Sequence, residues 1–226
     1  MTSRDNSLWL RIWQQQDTDD FHQSSVNRFL PRFWPAINPD SQSRVFVPLC
    51  GKSLDMLWLA EQGHYVIGVE LSPIAVRDFF RENRLPAKQR RIGNFTVWQH
   101  DKLSIICGDY FALKAADLGR IDTVYDRAAL TALPEDLRKR YVAQLRKIVP
   151  PTADIFLLTT EDAEAHESPS QIFGVAEEID ALYAADFDVD LACVESVFES
   201  DPDMPEQAPA RVEYKVYRLS AKAIAC

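Results

Sequence analysis

Positive charge is scarce in this chain. Its 25 lysines and arginines face 34 aspartates and glutamates, leaving a formal net charge of -9 and an isoelectric point near 5.0. That balance opposes the broad positive field with which nucleic-acid enzymes neutralise phosphates, so no DNA or RNA partner is expected. The short basic run from Lys88 to Arg91 reads as a solvated loop. Long apolar runs are missing as well: none approaches the ~18 residues of a membrane span, and the opening MTSRDNSLWLRIWQQQDTDD is too polar for a signal peptide. The expectation is a cytoplasmic protein with no membrane partner. Cys50, Cys107, Cys193 and Cys226 fall without a CxxC pair and without histidine at zinc-ligand spacing, so free thiols are expected, with no metal site and no disulfide framework.

What is present is a globular balance, 46% apolar against 26% charged over 226 residues, enough for a substantial core and a single α/β domain. The first forty residues carry clustered aromatics, with Trp9 and Trp13 on one face of an N-terminal helix that caps the core. RVFVPLCG (44–51) reads as a buried strand meeting a turn. A helix follows, with Ser53 as its cap and Gly63 at its left-handed end. YVIGVEL (65–71) is a second continuous apolar run, typical of a parallel strand. Ser72 and Pro73 open another helix, lined by Val76, Phe79, Phe80 and Asn83. Residues 95–107 look like two strands around a polar turn, and 122–130 like a strand and turn. From Pro134 a helix shows Leu137, Tyr141, Leu145 and Ile148 on one face. A strand over 154–160, a helix marked by Val175, Ile179, Leu182 and Tyr183, and strands near 187–198 and 211–219 complete the chain. In the last strand Val212, Tyr214 and Val216 alternate with Arg211, Glu213 and Lys215, as on a sheet with one wet face. Alternating βα units ending in two strands imply a mostly parallel sheet closed by an antiparallel hairpin.

In such a sheet a ligand sits beyond the carboxyl ends of the strands, so the turn from Pro48 to Ser53 is where binding is expected. A dinucleotide turn needs GxGxxG, and only Gly51 is present. A P-loop needs a glycine five residues before GKS, and that position holds Phe46. A ligand with an adenosine end and no phosphate needs one tight turn and an acid for the ribose hydroxyls. Glu70 fits, at the end of the second strand. Asp109 and Tyr110 end the next core strand, where a polar side chain and an aromatic face suit an adenine ring, or where a turn aspartate sits beside a core tyrosine. Asp126 and Arg127 end the fourth, and there an arginine can orient ligand groups or pair with its neighbour. Cys50 shows no adjacent base and reads as a buried thiol.

VFVPLCGKSLDMLWLAEQGHYVIGVELS, with CGDYFAL and YDRAALTALP behind it, closely resembles the thiopurine S-methyltransferase family. The likeness runs from LWLRIW and FHQSSVN to VYRL near the end. It implies a class I methyltransferase fold: one Rossmann-like domain over 1–226, with 1–40 as a cap or lid segment and 41–226 as the core. That fold has a mostly parallel seven-stranded sheet with helices on both faces. The resemblance implies S-adenosylmethionine as the methyl donor and no metal. Trp13, Leu49, Glu70 and Arg127 match the family's cofactor contacts, Asp109 and Tyr110 its adenine side, and Phe21 a residue near the lid. Where the family usually reads something like LDYD and then GPPF, this chain has TTED (Thr159 to Asp162) and SPSQIF. The loop ESDPDMPEQAPA lacks an arginine that members often carry.

The expected reaction is an in-line displacement by a thiolate on the sulfonium methyl, accelerated by alignment and a dry pocket, with Arg127 positioning the acceptor or easing its deprotonation. The resemblance implies thiopurines or other small aromatic or heterocyclic thiols as acceptors, and a monomer is expected. Two further readings stand beside it: methylation of selenium or tellurium species in metalloid detoxification, and a non-catalytic adenosine-ligand sensor.

Overall fold

The computed structural model describes residues 3–15, 23–37, 40, 42–162, 175–199 and 209–222. Two compact units emerge from its internal contacts: Met1–Tyr125 with Gln144–Ala153, and Asp126–Ala143 with Asp154–Cys226.

The first unit begins with α1 (Ser3–Gln15) and α2 (Phe29–Ile37), and continues through β1 (Arg44–Val47), α3 (Asp55–Glu61), β2 (Tyr65–Glu70) and α4 (Pro73–Glu82). β3 (Lys88–Ile92), β4 (Phe95–His100), β5 (Leu103–Cys107) and α5 (Ala115–Leu118) follow, and then β6 (Thr123–Arg127) begins. The strand order is β3-β4-β5-β2-β1-β6. β1, β2, β5 and β6 run parallel, whereas β3 and β4 are antiparallel additions to the edge. β1 and β2 are buried along nearly their whole length, which explains their uninterrupted apolar sequences. Ser72 caps α4 by accepting from the Ala75 amide at 3.3 Å, with Pro73 as its first residue. Ser53 accepts from the Asp55 amide at 3.3 Å, so α3 starts one position later than a Ser53 cap would place it.

Two expectations are corrected here. The basic run is not a loop: Lys88–Ile92 is strand β3, fully exposed and at the sheet's edge. Charge suits that place, because lysine and arginine on an edge strand discourage pairing with another chain. The hairpin of β3 and β4, added to the seven strands expected of the fold, brings the described residues to nine strands. The aromatics of the first forty residues also divide between two helices. Phe29, Leu30, Trp34 and Ile37 of α2 are all buried, and Asp55 ties this helix's entry to the core, accepting from the Asn27 amide at 2.7 Å and the Tyr125 hydroxyl at 2.9 Å. α2 is therefore packed into the core of the first unit.

The second unit holds the end of β6 and the start of α6 (Glu135–Ile148), and then β7 (Asp154–Asp162), α7 (Val175–Tyr183), β8 (Phe187–Glu199) and β9 (Ala210–Ala221). β9 lies between β7 and β8, antiparallel to both, so the expected C-terminal hairpin is present. Its wet face is drier than alternation suggests: Lys215 is only 13% exposed at its side chain and bonds Glu161 at 2.8 Å. Arg138 of α6 similarly bonds Glu178 of α7 at 2.6 Å. Leu137, Tyr141, Leu145 and Ile148 of α6 are all buried. No helix among the described residues is long and apolar enough to cross a membrane.

Candidate functional site

Three parallel strands of the first unit, β5, β2 and β1, end side by side. Glu70 is the last residue of the middle one, 6% exposed. Its Oε2 accepts from the Gly51 amide at 3.0 Å and its Oε1 from the Ser72 amide at 2.7 Å. Burial pushes the carboxyl's pKa up, and the amides of Ser72, Gly51 and Leu71 hold it back. A carboxylate has about four acceptor directions, so two remain after these amides are served. Vicinal hydroxyls suit that remainder, whereas a phosphate would meet like charge. The GKS lysine agrees, since Lys52 is engaged by Glu82 at 2.9 Å.

The turn after β1 is strained. Leu49 has φ 46° and Gly51 φ 52°, and a bulky residue with positive φ is a genuine outlier of the kind that clusters at binding sites. Above it lies Trp13, 5% exposed; a Cβ on Gly51 would stand 3.3 Å from its Cζ2. Seven residues earlier on α1, Asn6 donates from Nδ2 to Oδ2 of Asp109, just beyond β5, at 3.3 Å. Two helical turns rise about 10 Å and two strand spacings also span about 10 Å. α1 thus reaches from the end of β5, at Asp109, to the turn after β1, at Gly51. Cys50 is also here, but burial first, and then Glu70, drives its thiol pKa well up; a protonated buried thiol is a poor nucleophile.

Asp109 caps the short 3-10 turn Tyr110–Ala112 by accepting from the Phe111 amide at 2.9 Å. Of the two readings weighed for Tyr110, its surroundings match the core tyrosine beside a turn aspartate. It is 1% exposed and its ring stands edge-on to Phe111, centroids 5.2 Å apart, so the ring serves the core. Gly108 of the same string is needed for packing, because a Cβ there would fall inside van der Waals distance of the Phe95 ring.

In the second unit Arg127 ends β6, half-buried. Its neighbour Asp126 is fully buried and accepts from the Tyr141 hydroxyl at 2.7 Å and from the amides of Ala129 and Leu130 at 3.1 and 3.3 Å. The two do not form the simple loop ion pair weighed from sequence: Asp126 is spent on the turn that follows Arg127, where Ala128 adopts φ 63°. Phe21, the SPSQIF segment, most of ESDPDMPEQAPA and Cys226 lie outside the described residues. Cys50, Cys107 and Cys193 are free thiols. No cluster of three or more potential metal ligands occurs among the described residues.

Asn6 was absent from the residues singled out by sequence. Helical spacing puts it on the face of Trp13, seven positions away, but does not show its pairing with Asp109.

Residues 4–222 match the family described as Thiopurine S-methyltransferase. The chain is 64% identical over 222 residues to the thiopurine S-methyltransferase of Stutzerimonas stutzeri, covering 98% of this chain and 93% of that protein. It is 41% identical to that of Methylococcus capsulatus, covering 98% and 100%. Among solved structures, a SAM-dependent methyltransferase from Anabaena variabilis superposes with TM-score 0.62 at 17% identity, over 96% of this chain and 95% of that one. The Burkholderia thailandensis 1,6-didemethyltoxoflavin-N1-methyltransferase, solved with S-adenosylhomocysteine bound, superposes with TM-score 0.60 at 16% identity, over 95% and 87%. These two likenesses bear on the fold.

Proposed function

The chain belongs to the thiopurine S-methyltransferase family and is an S-adenosylmethionine-dependent methyltransferase, and from that premise we propose that it methylates the sulfur of thiopurines or other small aromatic or heterocyclic thiols. The observation that carries the donor half of this reading is Glu70: a buried carboxylate at a strand end, pinned by two backbone amides and left with acceptor capacity for a ribose. Asp109 marks the base side, Leu49 and Trp13 the turn and the cover. When bound, S-adenosylmethionine supplies an electrophilic methyl on a sulfonium, itself a good leaving group.

The protein's own contribution is then geometry more than acid or base chemistry. Aligning two reactants and excluding water removes most of the entropy and solvent-reorganisation barrier. Trp13, held over Gly51, closes the donor side. Arg127 sits at the end of β6, where a guanidinium orients an anionic sulfur by charge-assisted hydrogen bonding. Asp126 anchors the turn behind it. The chain is read as a cytoplasmic monomer with no nucleic-acid partner, a point its net charge of -9 supports.

Calorimetric titration with S-adenosylhomocysteine should show one site. Turnover with a panel of thiopurine, thiophenol and selenite acceptors should release S-adenosylhomocysteine with the thiols. Donor binding with methylation of selenite alone would overturn the acceptor assignment, and failure to bind S-adenosylhomocysteine would overturn the Glu70 pocket.

A further inference from the structure

We propose that Asn6 is a cofactor-binding residue, its side-chain oxygen accepting a hydrogen bond from the exocyclic amine of the adenine. This rests on the reading that adenosine occupies the ends of β2 and β5.

Asn6 donates from Nδ2 to Oδ2 of Asp109. A carboxylate only accepts, so the orientation of the amide is set by chemistry: its NH2 must face Asp109, and Oδ1 must lie on the other branch. That Oδ1 is buried and has no hydrogen-bond partner among the described residues. Buried polar atoms are seldom left in this state, and one that is calls for an explanation such as a bound group. The location supplies one. Asp109 follows β5, and β5 pairs directly with β2, Cys107 opposite Glu70. One strand spacing, about 5 Å, is the distance from a sugar to the base it carries. The adenine amine has two hydrogens, and Asn6 Oδ1, beside the Asp109 carboxylate, offers one of them an acceptor. A base bearing a 6-oxo group in that place would present an acceptor to acceptors.

The test compares S-adenosylhomocysteine with S-inosylhomocysteine, which carries oxygen in place of the amine, by calorimetry on the full chain. The wild type should prefer the adenosyl compound. Asn6→Ala, with Asn6→Ser as a second variant should the first lose its thermal transition, should weaken the adenosyl compound about tenfold, the scale of one lost hydrogen bond, and leave the inosyl compound within twofold. Equal weakening of both ligands would mean that Asn6 only props α1, and unchanged adenosyl binding would mean that it touches nothing; either overturns this proposal alone. A wild type that binds neither ligand removes the cofactor reading together with it.

Discussion

The Gly51 amide and Oε2 of Glu70 are joined at 3.0 Å, so the turn after β1 and the end of β2 share one hydrogen-bonded corner, completed by the Ser72 amide on the other oxygen. On the proposed reading of Glu70, ligand recognition and local stability are coupled at position 70. Glu70→Ala removes the proposed ribose acceptor and strands two buried amides, each worth about 1–3 kcal/mol when left unpaired. S-adenosylhomocysteine binding should fall below detection, and urea unfolding should show a loss of about 2 kcal/mol or more. Glu70→Gln keeps the volume and one acceptor, and should recover part of the stability without the binding. Wild-type affinity in either variant would refute the pocket.

Gly51 is where glycine is required twice over, by its φ of 52° and by Trp13. Gly51→Ala should destabilise by about 1–2 kcal/mol from backbone strain and shift the Trp13 ring by a few tenths of an ångström. Cofactor affinity should then drop severalfold. In a Trp13→Ala background the steric part disappears, so the double-mutant cycle should show a coupling of at least about 0.5 kcal/mol in binding. Strict additivity would show that Trp13 does not rest on this turn.

The parallel core was legible from sequence because its strands are buried on both faces and read as continuous apolar runs, VFV and VIGV. β3 was not legible: Lys88–Ile92 has no apolar periodicity, since an edge strand with every residue exposed needs none. The place of Glu70 at the end of β2 was legible because a lone carboxylate closing a buried apolar run stands out. Tyr110 stayed open between two readings for a related reason: an aromatic beside a polar turn looks the same in sequence whether its ring faces a ligand or the core, and its 1% exposure fits the second. Asn6 was hidden because its partner Asp109 is 103 positions away, a pairing that helical periodicity alone does not reveal.

Asp126 should give stability an unusual pH dependence. Burial raises its carboxyl pKa to about 6, against hydrogen bonds from Tyr141, Leu130 and Ala129 that lower it, while in the unfolded chain an aspartate titrates near 3.9. The folded state therefore holds the proton more tightly, and this group's contribution is complete below about pH 4 and is lost as pH rises through about 6. Asp126→Asn cannot titrate. The difference between wild-type and variant urea midpoints should decline from pH 4 to 6 and then level off. A flat or rising difference would mean that the carboxyl is ionised throughout.

His64 should act in the opposite direction. Its Nε2 accepts from the Trp34 indole at 2.9 Å, which places the neutral ring's proton on Nδ1, an atom with no partner among the described residues. Protonation would set two donors against each other at Nε2. Burial lowers the pKa below 6.5, with Asp40 opposing and Lys102 assisting. Because the unfolded histidine takes up its proton first, the contribution is full above about pH 6.5 and is lost as pH falls below it. Trp34→Phe removes the donor whose clash penalises the charged ring, so the dependence of stability on pH between 5 and 7 should become shallower, on top of a general loss from the smaller ring. Proton NMR of the His64 ring reports the same quantity directly: a folded-state titration at or above 6.5 would show that this hydrogen bond does not hold α2 to the start of β2.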